Sequence, residues 1–122
     1  MYSIPSYDLI SHTRFDVIIK FLFARSVLTG YKTSFYRDMY REHLRVWNGF
    51  KEYNNPNKSS YEKYEECFLN LISDIGSSGF DKKISTIPVA DRKYILNGSH
   101  RLAAALAHNK EVWCHDGVNV RD

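Results

Sequence analysis

Ile95-Leu96-Asn97-Gly98-Ser99-His100-Arg101-Leu102-Ala103-Ala104-Ala105-Leu106 runs from apolar residues through Asn-Gly into an alanine-rich segment that opens on Ser, His and Arg. The pattern predicts a strand, a tight turn and a helix. A helix start leaves backbone N–H groups unpaired and carries the positive end of the helix dipole, so phosphate is stabilised there. Arg101 adds a bidentate fork, His100 a donor or proton carrier, and Gly98 lets the backbone approach a ligand closely. Asn97, Gly98, Ser99, His100 and Arg101 are therefore the candidate phosphate-holding turn, with Ser99 and His100 as candidate catalytic groups. Each has a structural alternative. Ser99 suits an N-cap, Gly98 a tight turn, His100 a core edge and Arg101 a weak surface pair.

Around this turn the pattern gives a sheet. Residues 85–89 and 93–96 read as short strands joined by Ala90-Asp91-Arg92, a hairpin. The helix spans 99–108, Asn109 stops it, and 111–114 reads as another strand, so strand, helix and strand form a crossover unit. Ala103, Ala104 and Ala107 let the helix lie close on a sheet, anchored by Leu102 and Leu106. Upstream the reading is helical. Thr13 and Asp16 open a helix carrying Phe15, Ile18, Ile19, Leu22 and Phe23, which ends near Thr29-Gly30. A second starts at Thr33 or Ser34, carries Tyr36, Tyr40, His43, Leu44 and Trp47 on one stripe, and ends at Asn48-Gly49. Ser59 and Glu62 form a capping box for a third, striped by Tyr61, Tyr64, Phe68, Leu71, Ile72 and Ile75 before Gly76 and Gly79. Residues 51–60 are polar, most simply a solvated connector, with a mobile lid or a partner contact as the functional alternative.

The expected fold is α+β: a small mixed sheet with a strand-turn-helix phosphate-binding motif, preceded by a mostly helical N-terminal half. At 122 residues it is a single domain, with 1–60 as a helical cap or extension and 61–115 as the core. Hydrophobic residues at 43% and charged residues at 25% exclude disorder and fibrous classes. Nine Tyr and seven Phe, mostly before residue 81, imply a thick aromatic core between helices. A net charge of +3, dispersed among acids, defines no nucleic-acid face, so sequence-specific nucleic-acid recognition is not expected. Cys67 and Cys114 form no C-x-x-C and read as reduced thiols of a cytoplasmic protein. Met1-Tyr2-Ser3-Ile4-Pro5 has no charged leader, and Asp16, Lys20 and Arg25 interrupt the most apolar segment, so no membrane span is expected.

Asp16 and Lys20 stand four apart, which most simply makes a surface pair worth about a few tenths of a kcal/mol; the functional alternative makes them catalytic base and phosphate clamp. Glu42, His43 and Glu52 flank Trp47-Asn48-Gly49-Phe50, and His43 on the apolar stripe reads as a hydrogen-bonded core histidine. Cys114 and His115 supply two metal ligands, too few for a protein-only site. A Mg²⁺ ion would instead arrive with a nucleotide, bridging its phosphates.

From about residue 65 to residue 112, under half of the chain, the sequence resembles the ParB/sulfiredoxin-like superfamily: a helix ending in Gly, Ile87-Pro88-Val89, a short turn, Tyr94-Ile95-Leu96, and Asn97-Gly98-Ser99-His100-Arg101 opening an Ala-rich helix. The resemblance implies that the Gly-x-[His/Arg]-Arg turn holds nucleotide phosphates, as in sulfiredoxins, free-serine kinases and the CTP-binding domains of chromosome-partitioning proteins. Ser99 stands where sulfiredoxins have their catalytic Cys, so thiol-based sulfinic acid reduction is not implied. Asn97 replaces the Asp of the serine kinases and cannot act as a base. Nothing is carried over onto residues 1–60, where many members have a short strand and a basic segment. Resemblance and residues together lead to the expectation of a nucleotide-dependent phosphotransferase, using ATP or CTP with Mg²⁺ on a small molecule or sugar, with its base among residues 1–60. The sequence also loosely resembles bacterial surface-polysaccharide gene products, so a role in polysaccharide biosynthesis is a further expectation. The alternatives are a non-catalytic nucleotide-sensing or protein-interaction module and, third, a DNA-associated or nuclease-like protein.

Overall fold

The computed structural model describes residues 1–52 and 58–117. In chain order the elements are β1 (Tyr2–Pro5), a 3-10 turn (Ser6–Leu9), α1 (Phe15–Thr29), α2 (Thr33–Asn48), α3 (Tyr61–Ser78), β2 (Ile87–Ala90), β3 (Tyr94–Ile95), α4 (Ser99–Ala107) and β4 (Glu111–Asp116). The architecture is mixed α+β.

The alanines of α4 set the packing distance. Leu102, Ala103, Ala104, Ala105 and Ala107 are all buried, and α1 and α3 both lie against this helix because small side chains permit close approach. The second helix packs on α1. The sheet order is β1-β4-β2-β3. Strands β2 and β4 run parallel, Ile87 opposite Cys114, while β3 pairs antiparallel with β2 and β1 antiparallel with β4. The parallel pair needs a crossover, which β3 and α4 provide. Along β2 and β4 the two-residue period buries Ile87, Val89, Val112 and Cys114. Between the helices lies an aromatic core: Phe23 stacks on Tyr40 at 5.0 Å between centroids, and Tyr40 meets Phe68 at 5.4 Å.

Residues 1–60 are not wholly helical, because β1 forms the edge of the sheet beside β4. Four residues ending in Pro carry no strand periodicity, and an edge position tolerates the missing donor of Pro5. The cap of α3 is Ser60, whose hydroxyl accepts from the Lys63 amide at 3.3 Å, one residue beyond the expected Ser59. On α1 the fully buried residues are Val17, Lys20, Phe23, Ala24 and Ser26, while Phe15 is 65% exposed. Apolar side chains surround this helix, so periodicity singles out no face. Residues 53–57 of the polar loop, and Val118-Asn119-Val120, lie outside the described residues. Among those described, no helix is long and apolar enough to cross a membrane.

Candidate functional site

The site is built on the strand-to-α4 turn. Gly98 sits in the left-handed region at φ 84°, and a Cβ there would meet Ile87 Cγ1 at 3.2 Å. The glycine is thus required by the turn itself. Asn97 Oδ1 accepts from the Gly98 amide at 2.8 Å, and the Gly98 carbonyl accepts the first helical bond, from Leu102, at 2.9 Å. No described side chain caps the start of α4. Its first amides are left for another acceptor.

Ser99, the first helical residue, faces α1. Lys20 Nζ donates to Ser99 Oγ at 2.6 Å and to Asp16 Oδ2 at 3.2 Å. Arg14 grips the other side of Asp16 in a fork, Nε to Oδ1 and Nη2 to Oδ2, both at 3.1 Å, and its Nη1 reaches the Ile95 carbonyl at 3.2 Å. The Asp16–Lys20 pair is therefore not a surface pair: Lys20 is only 5% exposed. Helical spacing does bring the two side chains together, but α1 turns that face toward α4. Burial alone would raise Asp16, yet the hydrogen bonds and charges of Arg14 and Lys20 override it and hold the carboxyl well below the usual carboxylate range. Burial pushes the Lys20 amine down to about 8, against the pull of Asp16.

His100 points into the aromatic core. Its Nε2 and Tyr40 Oη are 2.8 Å apart, its ring stacks on Tyr64 at 6.0 Å, and it meets Phe68 edge-on at 5.0 Å. Burial first, then the charge of Lys20, holds it well below the ordinary histidine value, so the ring is neutral near pH 7. Arg101 turns to the segment before β2: its Nη1 donates to the Ser85 carbonyl at 2.8 Å and to Ser85 Oγ, its Nη2 to the Asp81 carbonyl at 3.3 Å, and its guanidinium lies 3.8 Å from the Phe80 ring centroid. That side chain shores up one wall of the site.

Asn97, Gly98, Ser99, His100 and Arg101 border one cleft of about 730 Å³, together with Arg14, Asp16 and Lys20. Among the described residues its walls carry four cations, Arg14, Lys20, Lys58 and Arg101, against two carboxylates, Asp16 and Glu52. Glu52 accepts from Lys58 Nζ at 3.2 Å. At the rim, Trp47 is 75% exposed, with its ring 6.3 Å from that of His43. The expected core stripe of α2 therefore ends at Leu44, and His43 is a partly buried ring stacked on Trp47 rather than a core residue. Sequence reasoning misses Arg14 and Lys58: Arg14 stands two residues before Asp16 and Lys58 six after Glu52, spacings that carry no helical or motif signal, and only the fold turns both pairs into the cleft. It assigns Trp47 to the core for its helical spacing, although the last turn of a helix projects past its neighbours. Among the described residues no group of three or more metal-ligating side chains converges.

No family model, curated protein or solved structure matches this chain.

Proposed function

We propose that this chain is a nucleotide-dependent phosphotransferase, kinase-like in its chemistry, that passes a phosphoryl group to a small molecule or sugar, on a ParB/sulfiredoxin-like fold. The observation that carries this reading is the cleft, where the uncapped start of α4 opens among four cations and two carboxylates. A cationic excess beside free helix amides suits a polyphosphate, and phosphoryl transfer asks chiefly for positioning and charge stabilisation. Gly98, Ser99 and the amides that follow hold phosphate oxygens, with Lys20, Lys58 and Arg101 neutralising their charge. Mg²⁺ enters as the nucleotide's own complex. Asp16 is occupied by Arg14 and Lys20 and is a weak base, so its role is to fix Lys20. Glu52, exposed on the cleft wall and held by a single cation, Lys58, is the carboxylate that takes the proton of the acceptor hydroxyl. Trp47 offers a flat face to a base or sugar ring.

Calorimetric titration of ATP, CTP and GTP with Mg²⁺ into the protein and into Arg101→Ala tests this. Micromolar binding of one nucleotide, weakened more than tenfold (about 1.4 kcal/mol) by the substitution, supports it. Absence of binding to either protein overturns it. A second reading, nucleotide sensing without chemistry, is favoured by the inward engagement of both His100 and Asp16. Binding with no phosphoryl transfer to any acceptor would select it.

A further inference from the structure

Two described hydroxyls at the cleft lie within hydrogen-bond distance of an amine or imidazole, Thr86 beside His115 and Ser99 beside Lys20, and only Ser99 is buried at the start of α4. Lys20 Nζ lies 2.6 Å from Ser99 Oγ, at the wall of the cleft, with both residues buried. We infer that Ser99 is a covalent phosphoryl acceptor with Lys20 as its base, so that transfer runs through a phosphoserine at the start of α4. This rests on the nucleotide-dependent reading of the same cleft.

A serine hydroxyl is a weak nucleophile until an adjacent base takes its proton. His100, the usual candidate, has its Nε2 turned to Tyr40 Oη, away from that task. The amine of Lys20 is already within hydrogen-bond distance, and Asp16, gripped by Arg14, fixes where it points. An amine acts as a base only when neutral, and burial brings that form within reach of ordinary pH, since Lys20 is pushed down to about 8. The groups that set this titration are Arg14 and Asp16 at the head of α1, Lys58 ahead of α3, His43 on α2, and His100, which is neutral, on α4.

In the first half-reaction Ser99 Oγ attacks the γ-phosphorus. The Oγ–P bond forms as the bond from that phosphorus to the β-phosphate bridging oxygen breaks. The hydroxyl proton passes to Lys20 Nζ, and the nucleoside diphosphate leaves with the electron pair. The product places a dianion on the first residue of α4, where free amides, the helix dipole and the protonated Lys20 all stabilise it. In the second half the acceptor hydroxyl attacks the phosphoserine and gives its proton to Glu52; the Oγ–P bond breaks, and Lys20 returns its proton to Ser99.

The test is to incubate the full chain with Mg²⁺ and γ-labelled ATP or CTP, first without acceptor and then with a set of sugars and small alcohols, and to map the label by peptide mass spectrometry after acid quench. The expected result is one phosphoryl group on Ser99, forming faster as pH rises through about 8 and then levelling. Lys20→Arg, which keeps the charge and removes the base, should slow labelling by about 100-fold or more. Calorimetry on the same samples separates the failures. A nucleotide that binds and reaches acceptor or water with no label on Ser99, or with label on another residue, overturns the phosphoserine and leaves the phosphotransferase. Binding with neither transfer nor label overturns both the phosphoserine and turnover. Absence of binding overturns the nucleotide reading as well. Because the mapping uses the unaltered protein, poor folding of Ser99→Ala does not affect the outcome.

Discussion

Lys20 and Arg101 flank the same turn of α4 and are held in opposite ways. Lys20 comes from α1, is enclosed, and spends its donors on a hydroxyl and a carboxylate that other groups fix in place. Arg101 belongs to α4, is partly exposed, and spends its donors on carbonyls of the segment that walls the cleft. A cation with a buried counter-anion is locked and electrostatically tuned; a cation on loop carbonyls is a movable prop with charge to spare. On the proposed reading the two sides of the site divide the work, one setting reactivity and the other shape and net charge.

The largest effect that could break this comparison is on stability. Asp16→Ala leaves Lys20 and Arg14 facing each other with no anion between them, and loss of one partner of a buried pair costs about 3 kcal/mol or more near pH 7. Urea unfolding midpoints check this. A loss no larger than that of Arg101→Ala would make the pair an ordinary surface pair and erase the distinction. A second effect sharpens the comparison through pH. The folded-state value of Lys20 is about 8 against an ordinary 10.5, so above pH 8 the unfolded chain holds a proton that the native state has released. Stability then rises with pH in that window. The gain from pH 7 to about pH 9.5 is about 2 kcal/mol, and it is absent in Lys20→Met. Asp16 works on the acid side: its folded value lies below 3.8, so its contribution is present above that pH and disappears as pH falls through the folded value. Unfolding free energies of the protein and Lys20→Met across this range give the difference directly.

How far the sequence exposes this arrangement depends on the range of its signals. The α4 turn is legible because Asn-Gly and a run of alanines act locally: they dictate a left-handed residue and a close-packed helix wherever they occur. The ends of α1 and α2 are legible for the same reason, at Gly30 and Gly49. The partners of Ser99 are not. An i,i+4 pair looks the same whether its helix face meets water or another helix, and only the packing of α1 on α4 decides between them. Strand β1 escapes because its pairing with β4 joins residues more than a hundred positions apart, and four residues carry too little pattern to announce it. Arg101 shows the opposite failure. Its position is read from the motif, but its direction depends on the carbonyls of Asp81 and Ser85, which the motif does not contain.

That direction gives the smallest effect and the one that separates prop from ligand arm. Arg101→Ala removes hydrogen bonds to two carbonyls and the face-on contact with Phe80 at a partly exposed site, so it should destabilise the fold by only about 1 kcal/mol. Arg101→Lys keeps the charge and loses the planar fork, so it should leave the wall as weakened as alanine does while retaining most of the charge that draws an anion. Thermal unfolding and nucleotide titration on both variants then yield two numbers each. If lysine restores affinity but not stability, the guanidinium is a prop whose charge serves the cleft. If it restores neither, the fork itself must leave the loop to grip phosphate, and the wall formed by residues 80–85 is the part of the site that rearranges when ligand enters.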